Sequence, residues 1–302
     1  MKTNYIKLFI TIIILIINGI NGYSQTITYY RDPSKKEIID TCKYAITYTF
    51  KYLNDTVKKV PYYDRHILEI GNRYSHYYSV YAARLDSVHY VYSQPNKRTR
   101  ENKNSSDGYN PLKEANLQNN EKARYEDYYK DYPYKNDLTV SMAIEYNEYA
   151  YTETRQNQKW KFSSDTTTIL GYKCMKATTT FRGRDYEVWF TPFIPISQNL
   201  WKFDGLSGLI LKAKDTKGYF EWTAIGIEKP QNKHIYAYQS EKAKNVKTSR
   251  ENVQKLQRKL WEDPAGLIVS QGKTARYRIN GKTEEARAGL FQFPYIPPLE
   301  LE

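Results

Sequence analysis

The stretch Cys42-Lys-Tyr-Ala-Ile-Thr-Tyr-Thr-Phe-Lys-Tyr-Leu53 decides the fold class. Cys42, Tyr44, Ile46, Tyr48, Phe50 and Tyr52 recur at every second position, with Lys43, Ala45, Thr47, Thr49 and Lys51 between them. Successive side chains of a strand point to opposite faces, so this spacing gathers six large apolar groups on one side. A helix would scatter the same six around its circumference. The pattern predicts a half-buried β-strand over 42–53.

The same reading extends outward along the chain. Gly71-Asn72 sits between two strand-like runs, 67–70 and 73–81, and suits a two-residue hairpin turn in which Ile70 faces Arg73. Further strands are expected at 137–152, 172–181, 185–191, 209–215 and 218–227. Arg182-Gly183-Arg184 and Asp215-Thr216-Lys217-Gly218 serve as the tight links. Thr248 and Glu251 form a capping-box pair ahead of Val253, Leu256 and Leu260, and Asp263-Pro264 closes that segment, which predicts a helix over 247–263. Arg276 to Gly281 reads as one more hairpin. The stretch 93–136 is crowded with charged and amide side chains and nearly free of aliphatic ones, so it reads as a long mobile insertion, with a short helix near 112–128. Residues 290–302 read as a proline-rich tail. The expected architecture is mainly β: a curved antiparallel sheet or open half-barrel, with one C-terminal helix packed against it.

Residues 1–24 carry Lys2 and Lys7, an apolar run from Leu8 to Ile17, and small residues up to Ser24. That layout predicts an export signal cleaved after Ser24, since the apolar run is shorter than the roughly 20 residues of a membrane span. Residues 25–302 then form a single β-rich domain, located in the periplasm or outside the cell, with no transmembrane segment. The formal net charge of +13 falls by two lysines on cleavage and stays clearly positive. In an exported protein this points to anionic envelope surfaces or acidic polymers rather than nucleic acid, since no nucleic-acid-binding signature accompanies the charge. The basic residues equally suit plain solvation of the surface. The two cysteines, Cys42 and Cys174, either pair in an oxidising compartment or lie apart as buried thiols. Tyrosine is heavily used, with 31 residues against 10 Phe and 5 Trp, which suits a sheet with one wet face and equally suits sugar or peptide binding.

The chain carries no nucleophile elbow, metalloprotease helix, phosphate loop or dinucleotide fingerprint. The histidines are His66, His76, His89 and His234. In the expected hairpin register His66 and His76 point to opposite faces, which argues against a shared metal. No close carboxylate pair stands out in an apolar setting. Catalytic, cofactor and metal residues are therefore left unassigned.

One segment is distinctive: Trp201-Lys-Phe-Asp-Gly-Leu-Ser-Gly-Leu-Ile-Leu-Lys-Ala-Lys-Asp215. It resembles the signature of the GLPGLI family of exported bacterial envelope proteins, with Ser207 in place of the proline of the family name. Ile169 to Thr178, Phe181 to Pro192 and Ile194 to Ser197 resemble the same pattern, and the likeness spans roughly 40–90 and 135–265. Within the signature, Gly205 and Gly208 read as backbone requirements and Trp201, Phe203, Leu206, Leu209 and Ile210 as turn and strand positions. The resemblance implies an exported β-rich protein of uncharacterised activity, encoded near TonB-dependent outer-membrane transporters. The alternation of 42–52 and the lack of a catalytic cluster point to a non-enzymatic envelope protein without cofactor that binds a small apolar or peptide ligand or such a transporter. Two alternatives stand beside it: a hydrolase or processing enzyme without a recognisable motif, and a structural adaptor on an anionic surface. The hydrolase alternative predicts polar residues converging in one pocket with shifted pKa values.

Overall fold

A computed structural model describes residues 31–53, 59–93, 111–144, 147–238, 245–272, 274–279, 282–290 and 298–301. The strands are β1 (Lys36–Thr41), β2 (Tyr44–Leu53), β3 (Pro61–Ile70), β4 (Ser75–Ser79), β5 (Glu126–Lys130), β6 (Asp137–Ile144), β7 (Asn147–Thr154) and β8 (Lys161–Ile169). They continue as β9 (Tyr172–Phe181), β10 (Arg184–Thr191), β11 (Leu209–Asp215), β12 (Phe220–Glu228), β13 (His234–Tyr238), β14 (Asn245–Lys247), β15 (Ala275–Ile279) and β16 (Lys282–Ala286). The helices are α1 (Val80–Ser93), α2 (Pro111–Glu114), α3 (Arg250–Glu262) and α4 (Pro264–Ser270).

Twelve strands form one sheet in the order β14-β7-β6-β5-β4-β3-β2-β12-β11-β10-β9-β8, and β1 pairs with β13 in a separate ribbon. The fold is mainly β, and the large sheet is not closed into a barrel. On β2, Ile46, Tyr48 and Phe50 are wholly buried, so the alternation does select the core face. The segment after β10 fills that face. Trp201 and Phe203 have no exposed surface. Trp201 stacks on Trp222 of β12 at 6.0 Å, and Phe203 meets Tyr186 of β10 edge-on at 5.0 Å. Next to them, Lys202 Nζ reaches the Tyr151 hydroxyl on β7 at 3.0 Å. Strands far apart in the sheet order thus touch one short segment, so the sheet bends around it.

Charges hold the two ends of that bend together. Arg182, in the β9–β10 turn, pairs with Glu153 of β7 at 2.8 Å. Lys202 pairs with Glu153 at 2.6 Å and Glu300 at 2.7 Å, and Arg250 of α3 pairs with Glu300 at 2.6 Å. Burial alone would raise the Glu300 pKa, but Lys202 and then Arg250 hold it below the usual range. Val253 of α3 is buried against the main core, with Leu256 and Leu260 beside it.

The structure corrects several local readings. Cys42 lies outside β2 and packs with Ala45 and Ile235, away from the β2 stripe, while Cys174 sits in the main core; both are free, buried thiols. The expected 137–152 strand is two strands, β6 and β7. The β3–β4 turn spans four residues rather than two, with Ile70 opposite Ser75. Its cause is Asp40, whose carboxylate accepts from the backbone N–H of Arg73 at 2.7 Å and of Tyr74 at 3.1 Å. The register moves by two, so His66 and His76 still lie on opposite faces.

Val80–Ser93 is a helix where a strand was expected as far as Tyr81. Ser79 caps it, its hydroxyl accepting from Ala82 N at 2.9 Å. The polar stretch 93–136 contains a fully buried strand, β5, hydrogen-bonded between β4 and β6. Helix α3 is capped by Ser249 rather than Thr248, because Ser249 has the extended backbone and accepts from Asn252 N. Residues 1–24 and 94–110, and most of the proline-rich tail, lie outside the described residues.

Candidate functional site

The face of the sheet opposite the aromatic core carries a different chemistry. Alternation puts Glu69 on β3, His76 on β4 and Asp127 on β5 on that face, and the β1–β13 ribbon stands near them. Between ribbon, sheet and the first turns of α1 lies a cavity of about 430 Å³. Its deep end is formed by Arg31, His76, Asp86 and Asp127, and its mouth by Gln231, Asn232, Lys233, His234 and Tyr236.

Arg31, just upstream of β1, ties the deep end together. Its backbone N–H donates to Asp86 Oδ1 at 3.2 Å, its guanidinium Nη1 donates to Asp127 Oδ2, and Nε lies 3.4 Å from Asp86 Oδ2. Glu148 of β7 is 4.0 Å from Nε. His76 Nε2 contacts Asp127 Oδ2 at 3.0 Å, and its ring is sandwiched between Tyr78 at 4.3 Å and Tyr129 at 4.2 Å. The imidazole is thereby held by stacking on both sides and by a carboxylate at one edge. The buried Arg31 Nε and Asp127 Oδ1 have no hydrogen-bond partner among the described residues, although Nε keeps its ion pair with Asp86.

These surroundings separate the two aspartates. Burial pushes Asp86 up to about 6 by outweighing the pull of Arg31, and the repulsion of Asp127 and Glu148 adds a smaller push in the same direction. Burial acts on Asp127 in the same direction, but Arg31 and then His76 override it and hold that carboxyl down at about 2. Burial would loosen the proton of Arg31, yet Asp127, Asp86 and Glu148 keep its pKa above the ordinary value. One group is poised to exchange a proton near neutrality, between a permanent anion and a permanent cation. This is the arrangement in which two carboxyls of one site take different acid–base roles.

Sequence reasoning missed this cluster. Its members are 55, 96 and 51 positions apart for Arg31–Asp86, Arg31–Asp127 and His76–Asp127, so no local spacing announces them. The one available signal was Asp127 between Glu126 and Tyr128-Tyr129, a carboxylate within a β-compatible aromatic run. None of Trp201, Phe203, Gly205, Leu206, Gly208, Leu209, Ile210, Cys42 or Cys174 lines the cavity. His66 faces the core side, contacting Asp64 at 2.9 Å and the Tyr77 hydroxyl. His89 is half-buried in α1, and His234 stands at the cavity mouth.

The signature segment instead organises the core. Asp204 accepts from Arg155 Nη2 at 2.6 Å and lies 3.3 Å from Lys130 Nζ, while Lys130 donates to the Phe203 carbonyl at 2.6 Å. Burial pushes Lys130 down to about 8 against the pull of Asp204. Gly208 has φ +154°, and a Cβ there would stand 2.5 Å from the Thr191 carbonyl oxygen.

Fold and site together define a β-rich protein with a buried acid–base cluster in a polar cavity. The sequence family described as "N-glycanase peptide, N-terminal domain" matches residues 88–256, more than half of the chain, and the chain belongs to that family. Two solved structures of PNGF-II, in space groups P21 and C2, are 16% and 15% identical to it, with TM-scores of 0.44 and 0.43. Each alignment covers 72% of this chain and 33% of the other, so the chain spans about a third of the length of these neighbours. No curated protein matches.

The family match overturns the resemblance to the GLPGLI family, because it runs through residues 201–215 themselves. The physical reason is local. A Gly-punctuated turn leading into a buried strand is a general solution for closing a hairpin over a core, and it does not by itself mark descent. The non-enzymatic reading, as a ligand carrier or transporter partner, falls with it, and the hydrolase alternative is the better supported. Among the described residues no helix is long and apolar enough to cross a membrane.

Proposed function

We propose that this protein is a glycan-processing hydrolase of the peptide N-glycanase type, with its chemistry in the cavity between the β1–β13 ribbon and the sheet. The observation that carries the reading is the split pair Asp86 and Asp127 around Arg31. The description of the matched family as N-glycanase supports an asparagine-linked glycan on a peptide as the substrate class.

The reaction is hydrolysis of the amide that joins sugar to asparagine. Asp86, ionised through most of its titration at neutral pH, accepts a proton from water as the water oxygen bonds to the amide carbonyl carbon. The Arg31 guanidinium, beside Asp86, is the cation placed to offset the negative charge that develops on the carbonyl oxygen. Asp86 then returns the proton to the departing nitrogen as the C–N bond breaks, leaving aspartate on the peptide and a glycosylamine. Asp127 stays ionised throughout and, with His76, fixes the guanidinium.

The chain acts outside the cytoplasm on this reading, with residues 1–24 as the export segment and 25–302 as one β-rich domain. A second reading rests on the description of the matched family as an N-terminal domain: the cavity holds the glycan while a partner segment performs the cleavage. Incubating the full chain with an N-glycopeptide and following the peptide by mass spectrometry separates the two. Conversion of the linked asparagine to aspartate supports hydrolysis, whereas saturable binding with no conversion between pH 5 and 8 supports the holding role.

A further inference from the structure

We infer that β13 forms a saccharide subsite at the cavity mouth, with Tyr236 as its stacking platform. The inference rests on the glycan reading for its ligand class and on independent geometry for its location. Residues 234, 236 and 238 share one face of β13, while Ile235 and Ala237 are buried on the other. All three of His234, Tyr236 and Tyr238 line the cavity.

The strip grades from the acid cluster outward. At the inner end, Tyr238 lies under the Arg31 guanidinium, 5.4 Å from its ring, and its phenol pKa is raised by burial. Two positions on, roughly 7 Å away along a strand, Tyr236 is 38% exposed. Tyr134, Phe162 and Phe193 are more exposed, but among the described residues Tyr236 is the exposed ring that lines the cavity. It leaves a flat apolar surface open at the edge of a polar hollow, the form that the C–H face of a pyranose covers well.

The groups around Tyr236 suit sugar hydroxyls and acetamides. Gln231 and Asn232 are exposed in the β12–β13 turn and line the same mouth. Asn232 holds a left-handed backbone at φ +58°, which keeps this turn tight beside the cavity. The Nδ1 of His234 is buried and has no hydrogen-bond partner among the described residues. Lys36 Nζ lies over the Tyr236 and Tyr238 rings, 5.9 Å and 5.5 Å from their centroids, so a sugar would stack on the ring face of Tyr236 that Lys36 does not cover. A short oligosaccharide laid along β13 would therefore stack its outer ring on Tyr236 and direct its linked end toward Asp86.

Titration of the full chain with N,N′-diacetylchitobiose, followed by calorimetry, tests this directly. Wild type and Asp86→Asn are expected to bind alike, because the subsite does not use the proton-transfer group. Tyr236→Ala is expected to weaken binding at least about tenfold, with an unchanged melting temperature because the side chain is exposed. Tyr236→Phe should retain affinity, since the ring face and not the hydroxyl makes the contact. Wild-type protein that shows no saturable binding into the millimolar range, or Tyr236→Ala that binds like wild type, would overturn the inference. Loss of hydrolysis in Asp86→Asn with binding intact separates this subsite from the catalytic proposal.

Discussion

Asp86 and Asp127 show how one chemical group acquires two behaviours from its neighbours. An aspartate in the unfolded chain titrates near ~3.9. Asp86, at about 6 in the folded protein, binds its proton more tightly there than in the unfolded chain. Stability from this group is therefore present below about 4 and lost as the pH rises through about 6. The cost at neutral pH is on the order of 3 kcal/mol. Asp127, at about 2, has the opposite sign: it contributes on the order of 2 kcal/mol above its unfolded pKa, and this is lost as the pH falls through about 2. Asp86→Asn is thus expected to melt higher than wild type at pH 8 and to lose that advantage at pH 4. Asp127→Asn is expected to melt lower than wild type at pH 7, since it leaves Arg31 with less compensation. Thermal melts across this range check both signs. A variant at Asp86 that gains stability while losing activity is the usual mark of a strained functional group.

At the scale of elements, the turn that feeds β11 is fixed by backbone space rather than by side-chain chemistry. Gly208→Ala would place a Cβ 2.5 Å from the Thr191 oxygen, at a φ that L-residues avoid. The expected loss is about 3 kcal/mol, combining strain with overpacking. Chemical denaturation measures it; a loss below a tenth of that would show that the β10–β11 connection yields. Strands such as β9 and β11 were legible because apolar alternation and turn glycines agree there. Helix α1 was not, since Val80-Tyr-Ala-Ala-Arg-Leu-Asp-Ser-Val-His-Tyr-Val-Tyr-Ser93 is rich in residues with strand preference. Its formation depends on the Ser79 cap and on packing against β3, neither of which is a periodic signal. Strand β5 was hidden for the complementary reason. Glu126, Asp127 and Lys130 read as solvated, but each finds a buried partner: Arg124, Arg31 and the Phe203 carbonyl respectively. Composition reports solvation preference and cannot report a partner brought in by topology.

For the whole molecule, one segment carries the cohesion. Trp201, Lys202 and Phe203 touch strands from both ends of the large sheet, and the ion cluster of Glu153, Arg182, Lys202, Arg250 and Glu300 closes the remaining gap. The halves of the sheet share one core, so unfolding should be a single transition seen alike by near- and far-ultraviolet circular dichroism. Lys202→Ala removes the buried central cation from Glu153 and Glu300, two partly buried carboxylates that keep Arg182 and Arg250 as neighbours. It is expected to cost about 1–3 kcal/mol while preserving that single transition, and two separate transitions would show that the halves fold independently. The same bend also separates the signature segment from the cavity. The conspicuous letters of the sequence lie on the aromatic face and build the fold, while the inconspicuous charges lie on the other face and form the cavity.

The central claim is that Asp86, tuned by burial and by Arg31, exchanges the proton in hydrolysis of an N-glycopeptide. Its most direct test is the pH dependence of kcat/KM for glycopeptide cleavage by wild type and by Asp86→Asn. The rate for wild type should rise with an apparent pKa near the Asp86 value of about 6 and then level off. Asp86→Asn should lose activity by at least about a hundredfold while binding chitobiose as wild type does. Cleavage by Asp86→Asn at the wild-type rate, with the same pH profile, would contradict the account.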